Sequence, residues 1–469
     1  MPSFKLLIDG VLVKTDAELD VVNPATGELL ARCPRANEAD LNRAVKAANI
    51  AFPAWSRRTI EDRAALLVAL ADALDARASE FARLLTEEQG KPLDQAGFEI
   101  GGASYVIRTF AGMRLPPETL RDNEQGRVVE YRVPLGTVAA ITPWNFPVLL
   151  LMNKLAPALL AGNTIVVKPA PTTPLTTLLF GELCAAILPA GVVNIIVDAN
   201  DLGALLTSHP GIAKIAFTGS TATGKKVMAS ASESVKRVTL ELGGNDGAIV
   251  LDDVEAISAA KHLFDGAMLN AGQICVAIKR AYVPSSMYDA VCEELVRLAN
   301  EAVVDNGMHQ GTQIGPVQNA TQFAKLKDFL VDAAEHGTII AGGHALDRPG
   351  YFIAPTIVRD VSDDARIVRE EQFGPILPVL SYDHVEDVIT RINDSDYGLA
   401  GTVWGKDLDR ANAVASRIDA GTIWVNQHLA IDATIPFRGA KQSGFGGELG
   451  LEGLKEYTQA RIVNSVPLV

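Results

Sequence analysis

From Glu38 to about Leu93, alanine and leucine recur three and four positions apart, with Arg57, Arg58, Glu61, Asp62 and Arg63 between them. That spacing predicts a helical N-terminal region with one apolar face. From Thr137 the texture changes. Short β-branched runs at Thr137 to Thr142, Thr164 to Lys168, Val192 to Val197, Ala213 to Thr218 and Val238 to Leu242 alternate with helical patterns. Strands spaced in this way predict parallel βαβ units in a doubly wound sheet. A second α/β series follows, with helices near Ile257 to Leu269 and Ser286 to Ala302. Its strands are expected near Arg280 to Val283, Ile376 to Leu380 and Thr422 to Val425. The chain shows no repeat and no low-complexity linker, so two α/β units in direct contact are expected, with a cleft between them as the default site.

Composition narrows the function classes. The 469 residues are 48% hydrophobic and 21% charged, which fits a globular chain of two or three domains. With 42 Lys and Arg against 56 Asp and Glu, the formal charge is −14, and such a surface repels a phosphate backbone. Nucleic acid is therefore not expected as a partner. Cys33, Cys184, Cys275 and Cys292 form no CxxC pair, which suits a reducing, cytoplasmic setting. The N-terminus reads as no secretory signal. The longest apolar stretch, Leu183 to Val197, is too short for a membrane span and is broken by Pro189, Gly191 and Asn194. No membrane is expected. The seven histidines show no metal-ligand spacing, so no metal site is expected.

Four segments carry possible chemistry. In Asn270-Ala271-Gly272-Gln273-Ile274-Cys275, a small polar loop precedes a cysteine. Such a thiol could be a nucleophile at a cleft once its pKa is lowered, or a packing residue, as free cysteines usually are. The other three cysteines sit in apolar or helical surroundings and are read as packing. Glu241, at the end of a strand and followed by Leu242-Gly243-Gly244, could be a general base or a turn carboxylate. Gly219 and Ser220, in Phe217-Thr218-Gly219-Ser220, follow a strand and open a helix, where amide donors can hold a pyrophosphate. Asn145, in Thr142-Pro143-Trp144-Asn145, could be an oxyanion donor or a turn residue.

In this order the segments resemble the NAD(P)-dependent aldehyde dehydrogenase superfamily over essentially the whole chain. Further matches are Asn23-Pro24-Ala25-Thr26-Gly27, Lys168-Pro169, Glu370-Glu371-Gln372-Phe373-Gly374-Pro375, Tyr397-Gly398-Leu399, Gly444-Phe445-Gly446 and Glu456-Tyr457-Thr458. The resemblance implies oxidation of an aldehyde to an acid, with Cys275 as nucleophile, Glu241 as base and Asn145 in the oxyanion hole. Lys154 and Glu448 would relay protons. Ile141, Thr142, Pro143, Trp144, Gly219 and Ser220 would lie along the cofactor, NAD or NADP; Lys168 would reach its adenosine ribose, and Glu371 and Phe373 its nicotinamide ribose.

The fold so implied has a Rossmann-type cofactor-binding domain at 1–119 and 134–243 and an α/β catalytic domain at 244–435. A C-terminal return segment at 436–459 and a small β-ribbon oligomerisation element at 120–133 and 460–469 complete it. A homodimer or homotetramer is expected. Departures from the family pattern bear on specificity. Pro171 stands where NAD-preferring relatives often carry a glutamate, which removes a ribose acceptor and its repulsion of a 2′-phosphate and leaves Lys168 as the polar contact there. Arg438 replaces a usual glycine and is read as a solvated surface residue; Asn245 replaces a common lysine. Tunnel positions correspond to Leu150, Leu269, Ile274, Val276 and Ile431, an aliphatic set that lacks the aromatic box a quaternary ammonium needs. The alternatives are a CoA-acylating semialdehyde dehydrogenase, which has little need of Glu241, and a non-catalytic binding or structural protein on the same fold.

Overall fold

The structure is a computed structural model that describes residues 4–467; residues 1–3 and 468–469, at the outer ends of the first and last expected segments, lie outside the described residues. The helical N-terminal region forms Glu38–Ser56, Ile60–Ala76 and Ala78–Gln89. Asn37 and Asp40 make a capping box at the first of these, and Thr59 caps the second. A fourth helix, Leu93–Gly112, extends the helical region beyond the sequence expectation. Gly97, Gly101 and Gly102 weaken its helical signature, but Ala96, Glu99, Ile100, Ala103 and Ile107 still lie on one buried face. That face packs on Ile60–Ala76 and on the helix Pro147–Leu160.

The first large sheet has a core of five parallel strands in the spatial order Val193–Ile195, Thr164–Lys168, Thr137–Ile141, Lys214–Thr218 and Arg237–Glu241. Numbered along the chain, this order is third, second, first, fourth, fifth, so the winding reverses between Thr137–Ile141 and Lys214–Thr218. In an open α/β sheet, that switch point opens a crevice at the strands' carboxyl ends. Because helices cover both faces, the middle strands are buried throughout and read as continuous apolar runs. Two short strands, Leu6–Ile8 and Val11–Val13, close one edge antiparallel. Gly444–Phe445 closes the other, with Gly444 opposite Glu241. The return segment therefore belongs structurally to the edge of this sheet.

The second large sheet runs Thr338–Ala341, Thr356–Arg359, Ile376–Tyr382, Ile278–Pro284, Asp246–Val250, Ala400–Trp404 and Thr422–Val425. Every neighbouring pair except the first is parallel. Apart from these, a ribbon of Glu118–Asn123 and Gly126–Pro134 takes Thr458–Ser465 as a third, antiparallel strand, from Thr458 opposite Pro134 to Ser465 opposite Arg127. The pairing lies within one chain. Among the described residues, no helix is long and apolar enough to cross a membrane.

Candidate active site

The cysteine loop follows the helix Ala256–Met268 and is held in an unusual backbone conformation. Asn270, Ala271 and Gly272 are consecutive residues with φ of 50°, 53° and 69°. Left-handed backbone costs a residue with a Cβ about 1–2 kcal/mol, so the loop persists because its surroundings fix it. A methyl group at Gly272 would come within 2.2 Å of the Gly374 carbonyl oxygen, which leaves glycine as the residue that fits. Gln273 ties the loop down: its Nε2 donates to the Asn270 carbonyl at 2.9 Å, and its Oε1 accepts from the Gln318 N–H at 2.8 Å. The result is that Cys275 is partly open, whereas Cys33, Cys184 and Cys292 are buried, as the sequence reading has it.

Asn145 closes over the same loop and donates one amide N–H to the Gln273 carbonyl at 3.0 Å, leaving a second N–H. A buried ion pair fixes it from behind. Lys91 Nζ lies 2.5 Å from Glu99 Oε2 and donates to the Asn145 carbonyl at 2.8 Å. Glu99 in turn accepts the Val148 N–H at 2.9 Å and the Leu149 N–H at 3.2 Å at the start of Pro147–Leu160, where a helix favours a negative charge.

Glu241 ends its strand at the floor of the cleft and is only 6% exposed. Neither carboxylate oxygen has a hydrogen-bond partner. Burial, helped by Glu448, pushes its pKa up to about 8, opposed by Lys154 and by the adjacent Cys275 thiol. The thiol is itself pushed well above its ordinary value, by burial first and then by Glu241, with Lys279 opposing. The lowered thiol pKa that activation calls for is thus not present in the protein alone, because a second anion beside Glu241 is unfavourable. Lys154 and Glu448 form a buried pair at 2.6 Å, and Lys154 also donates to Thr218 Oγ1 at 2.6 Å; Thr218 lies opposite Glu241 in the sheet.

The remaining predicted positions line the switch-point crevice. Ile141 to Trp144 leave the carboxyl end of one central strand; Gly219 and Ser220 leave the end of its neighbour. Ser220 caps the helix Thr221–Ser232 by accepting the Thr223 N–H at 3.3 Å. The Thr142 hydroxyl is buried without a partner. Across the cleft, Glu371 Oε1 accepts the Gly244 N–H at 3.1 Å, and the Phe373 ring meets Trp144 edge-on at 5.2 Å. A helix start, an orphaned hydroxyl and a carboxylate at the far end fit the phosphate and ribose groups of a dinucleotide. Lys168 is not a lone cation at this corner: Asp198, buried beside it, lies 2.6 Å from its Nζ. Arg438 is exposed, as expected, 3.8 Å from Glu452.

The profile of the Aldehyde dehydrogenase family matches residues 12–463. The chain belongs to the aldehyde dehydrogenase family. It is 40% identical to the putative aldehyde dehydrogenase DhaS of Bacillus subtilis, over 98% of this chain and 95% of that one. It is 37% identical to the NADP(+) succinate-semialdehyde dehydrogenase GabD of Escherichia coli, over 94% and 93%. The solved NAD+ complex of an aldehyde dehydrogenase from Bacillus cereus superposes with a TM-score of 0.97, at 38% identity over 99% and 96% of the two chains. The protein is an aldehyde dehydrogenase that uses a nicotinamide cofactor.

Several residues of this dehydrogenase's site carried no sequence signal. Lys91, Glu99 and Asp198 act through partners distant in the chain, Lys279 through Glu371 as well as the nearby cysteine loop, and an isolated lysine or acid ordinarily reads as a solvated surface residue.

Proposed function

We propose that the enzyme converts an aldehyde to the carboxylic acid through a thioester on Cys275 that Glu241 helps to hydrolyse. The observation that carries this reading is Glu241 itself: a buried carboxylate beside the thiol with both oxygens uncommitted. The Cys275 thiol loses its proton to water, the thiolate sulfur adds to the aldehyde carbon, and the carbonyl oxygen becomes an oxyanion held by the second Asn145 N–H and the Cys275 backbone N–H. One such donor is worth about 3 kcal/mol in comparable sites. A nicotinamide held near Glu371 and Phe373 supplies the acceptor for the hydride that leaves this carbon. Glu241 then takes a proton from water as the water attacks the thioester, the C–S bond breaks, and the thiol is regenerated. Lys154 and Glu448 carry that proton away from the floor. A CoA-acylating enzyme would leave Glu241 without a task, which favours hydrolysis.

In this reading the first sheet, with 134–243 at its centre, is the cofactor-binding domain, 244–435 is the catalytic domain, and the ribbon joins subunits of a homodimer or homotetramer in the cytoplasm. The Lys168–Asp198 pair, with no carboxylate at Pro171, leaves the 2′ corner close to neutral, so both NAD and NADP are used. The aliphatic tunnel selects an aldehyde without a quaternary ammonium. An assay of short and medium aldehydes with each cofactor, following absorbance of the reduced nicotinamide, tests the reading; acid formation without CoA is expected, and an absolute need for CoA would overturn it.

A further inference from the structure

Lys279 lies four residues beyond Cys275, near the start of the strand Ile278–Pro284, and is 2% exposed. Its ammonium group donates to the Ile274 carbonyl at 2.6 Å and to the Cys275 carbonyl at 3.1 Å, and lies 3.8 Å from Glu371 Oε1. The Phe373 ring is 5.8 Å away. Lys279 therefore stands between the reacting cysteine and the two residues at the nicotinamide end. Backbone carbonyls need only a hydrogen-bond donor, and burying a full positive charge to satisfy them costs several kcal/mol unless an anion shares the site.

We propose that Lys279 is a positioning residue for the reaction: it fastens the backbone of Cys275 to the Glu371 side of the cofactor site and supplies positive charge that stabilises the thiolate when it forms. This rests on Cys275 being the nucleophile. The other ionisable groups around Lys279 leave it few competing counterions near neutral pH. Asp246 and Glu241 are each pushed up to about 8 by burial, and burial raises Glu371 as well; Lys279 opposes the shift at Asp246 and at Glu371. His428 is pushed down to about 4 by burial and is neutral. Lys325 is engaged by the Glu371 carbonyl at 3.1 Å. Glu371 is the carboxylate paired with Lys279, at 3.8 Å, and the thiolate, once formed, is the second anion.

The test is the pH dependence of iodoacetamide inactivation of the full-length enzyme, with the alkylated residue identified by peptide mass. Lys279→Gln keeps a donor for the carbonyls and removes the charge; Lys279→Met removes both; Lys279→Arg keeps the charge. The midpoint is expected to rise by about one pH unit in Lys279→Gln and Lys279→Met, which makes inactivation about tenfold slower below both midpoints. Lys279→Arg should recover most of that shift. An unchanged midpoint in folded Lys279→Gln overturns the proposal. So does a failure of both uncharged variants to fold, since the lysine would then be structural. Alkylation of wild-type enzyme at a residue other than Cys275 would instead defeat the nucleophile assignment.

Discussion

Two buried glutamates, one tied through Lys91 to the Asn145 backbone and one beside the Cys275 thiol, are treated in opposite ways by the fold. Glu99 is paired with Lys91 at 2.5 Å and accepts two backbone N–H groups. Glu241, on the cleft side, accepts no hydrogen bond at all and has its pKa raised to about 8. A buried carboxylate without partners is costly, and in native structures it needs an explanation. Glu99 holds a helix start and, through Lys91, the Asn145 backbone. In the proposed mechanism Glu241 keeps its lone pairs for the proton taken from water. The contrast separates scaffold from proposed chemistry.

The largest effect that would break this contrast is at the thiol. Cys275→Ala should reduce turnover to background, more than about 10³-fold, with cofactor affinity unchanged in a fluorescence titration, because the thiol is needed for covalent chemistry alone. Retained turnover would remove the reason for Glu241 to stay unpaired. Glu241→Gln should lower steady-state kcat about 10²–10⁴-fold, the usual contribution of a placed base. The pH dependence follows in sign. A base must be deprotonated, so wild-type kcat should rise through about pH 8, and the variant should lose that rise. Stability moves the other way: a carboxyl group whose folded pKa lies above its unfolded one stabilises the fold while protonated and loses that contribution as pH climbs through about 8. Wild-type Tm should therefore fall more than that of Glu241→Gln between pH 6 and 9 in calorimetry.

On the scaffold side the pattern should invert. Lys91→Met leaves Glu99 buried with its charge unpaired, and is expected to cost about 3–5 kcal/mol in denaturant unfolding. Its effect on kcat should follow from the displaced Asn145. A Lys91→Met protein as stable as wild type would show that Glu99 is not the structural member of the comparison. The smallest effect is expected at the adenosine end. Asp198→Asn keeps the Leu202 N–H partner and removes a negative charge beside Lys168, so the NADP-to-NAD ratio of kcat/KM should rise roughly tenfold, about 1.4 kcal/mol. Pro171→Glu should move the same ratio the opposite way.

Much of this architecture is legible in the sequence, and the parts that are not share a cause. The strands Thr164–Lys168 and Thr422–Val425 fall on the bounds their β-branched runs predict. The glycines of Leu93–Gly112 weaken its helical signature, and Asp246–Val250, a central strand of the second sheet, begins at the polar end of the Gly243-Gly244-Asn245 turn. Among site residues, Cys275, Glu241 and Asn145 stand out because each sits in a glycine-rich or turn-forming segment at a strand or helix end. Lys91, Asp198 and Lys279 do not. Their partners Asn145, Lys168 and Glu371 lie in other segments of the chain, and only the closed fold brings those atoms together. Pro171 marks a missing carboxylate, but no local pattern announces that Asp198 stands in the same corner.

On the proposed route Cys275 carries the acyl group and Glu241 clears it. Mass spectrometry of Glu241→Gln, quenched after mixing with aldehyde and cofactor, tests both halves at once. The account predicts an adduct on the Cys275 peptide equal to the mass of the aldehyde less two hydrogen atoms, abundant in the variant and scarce in wild-type enzyme. An adduct on another residue, or no accumulation while one equivalent of reduced cofactor is formed, would contradict it.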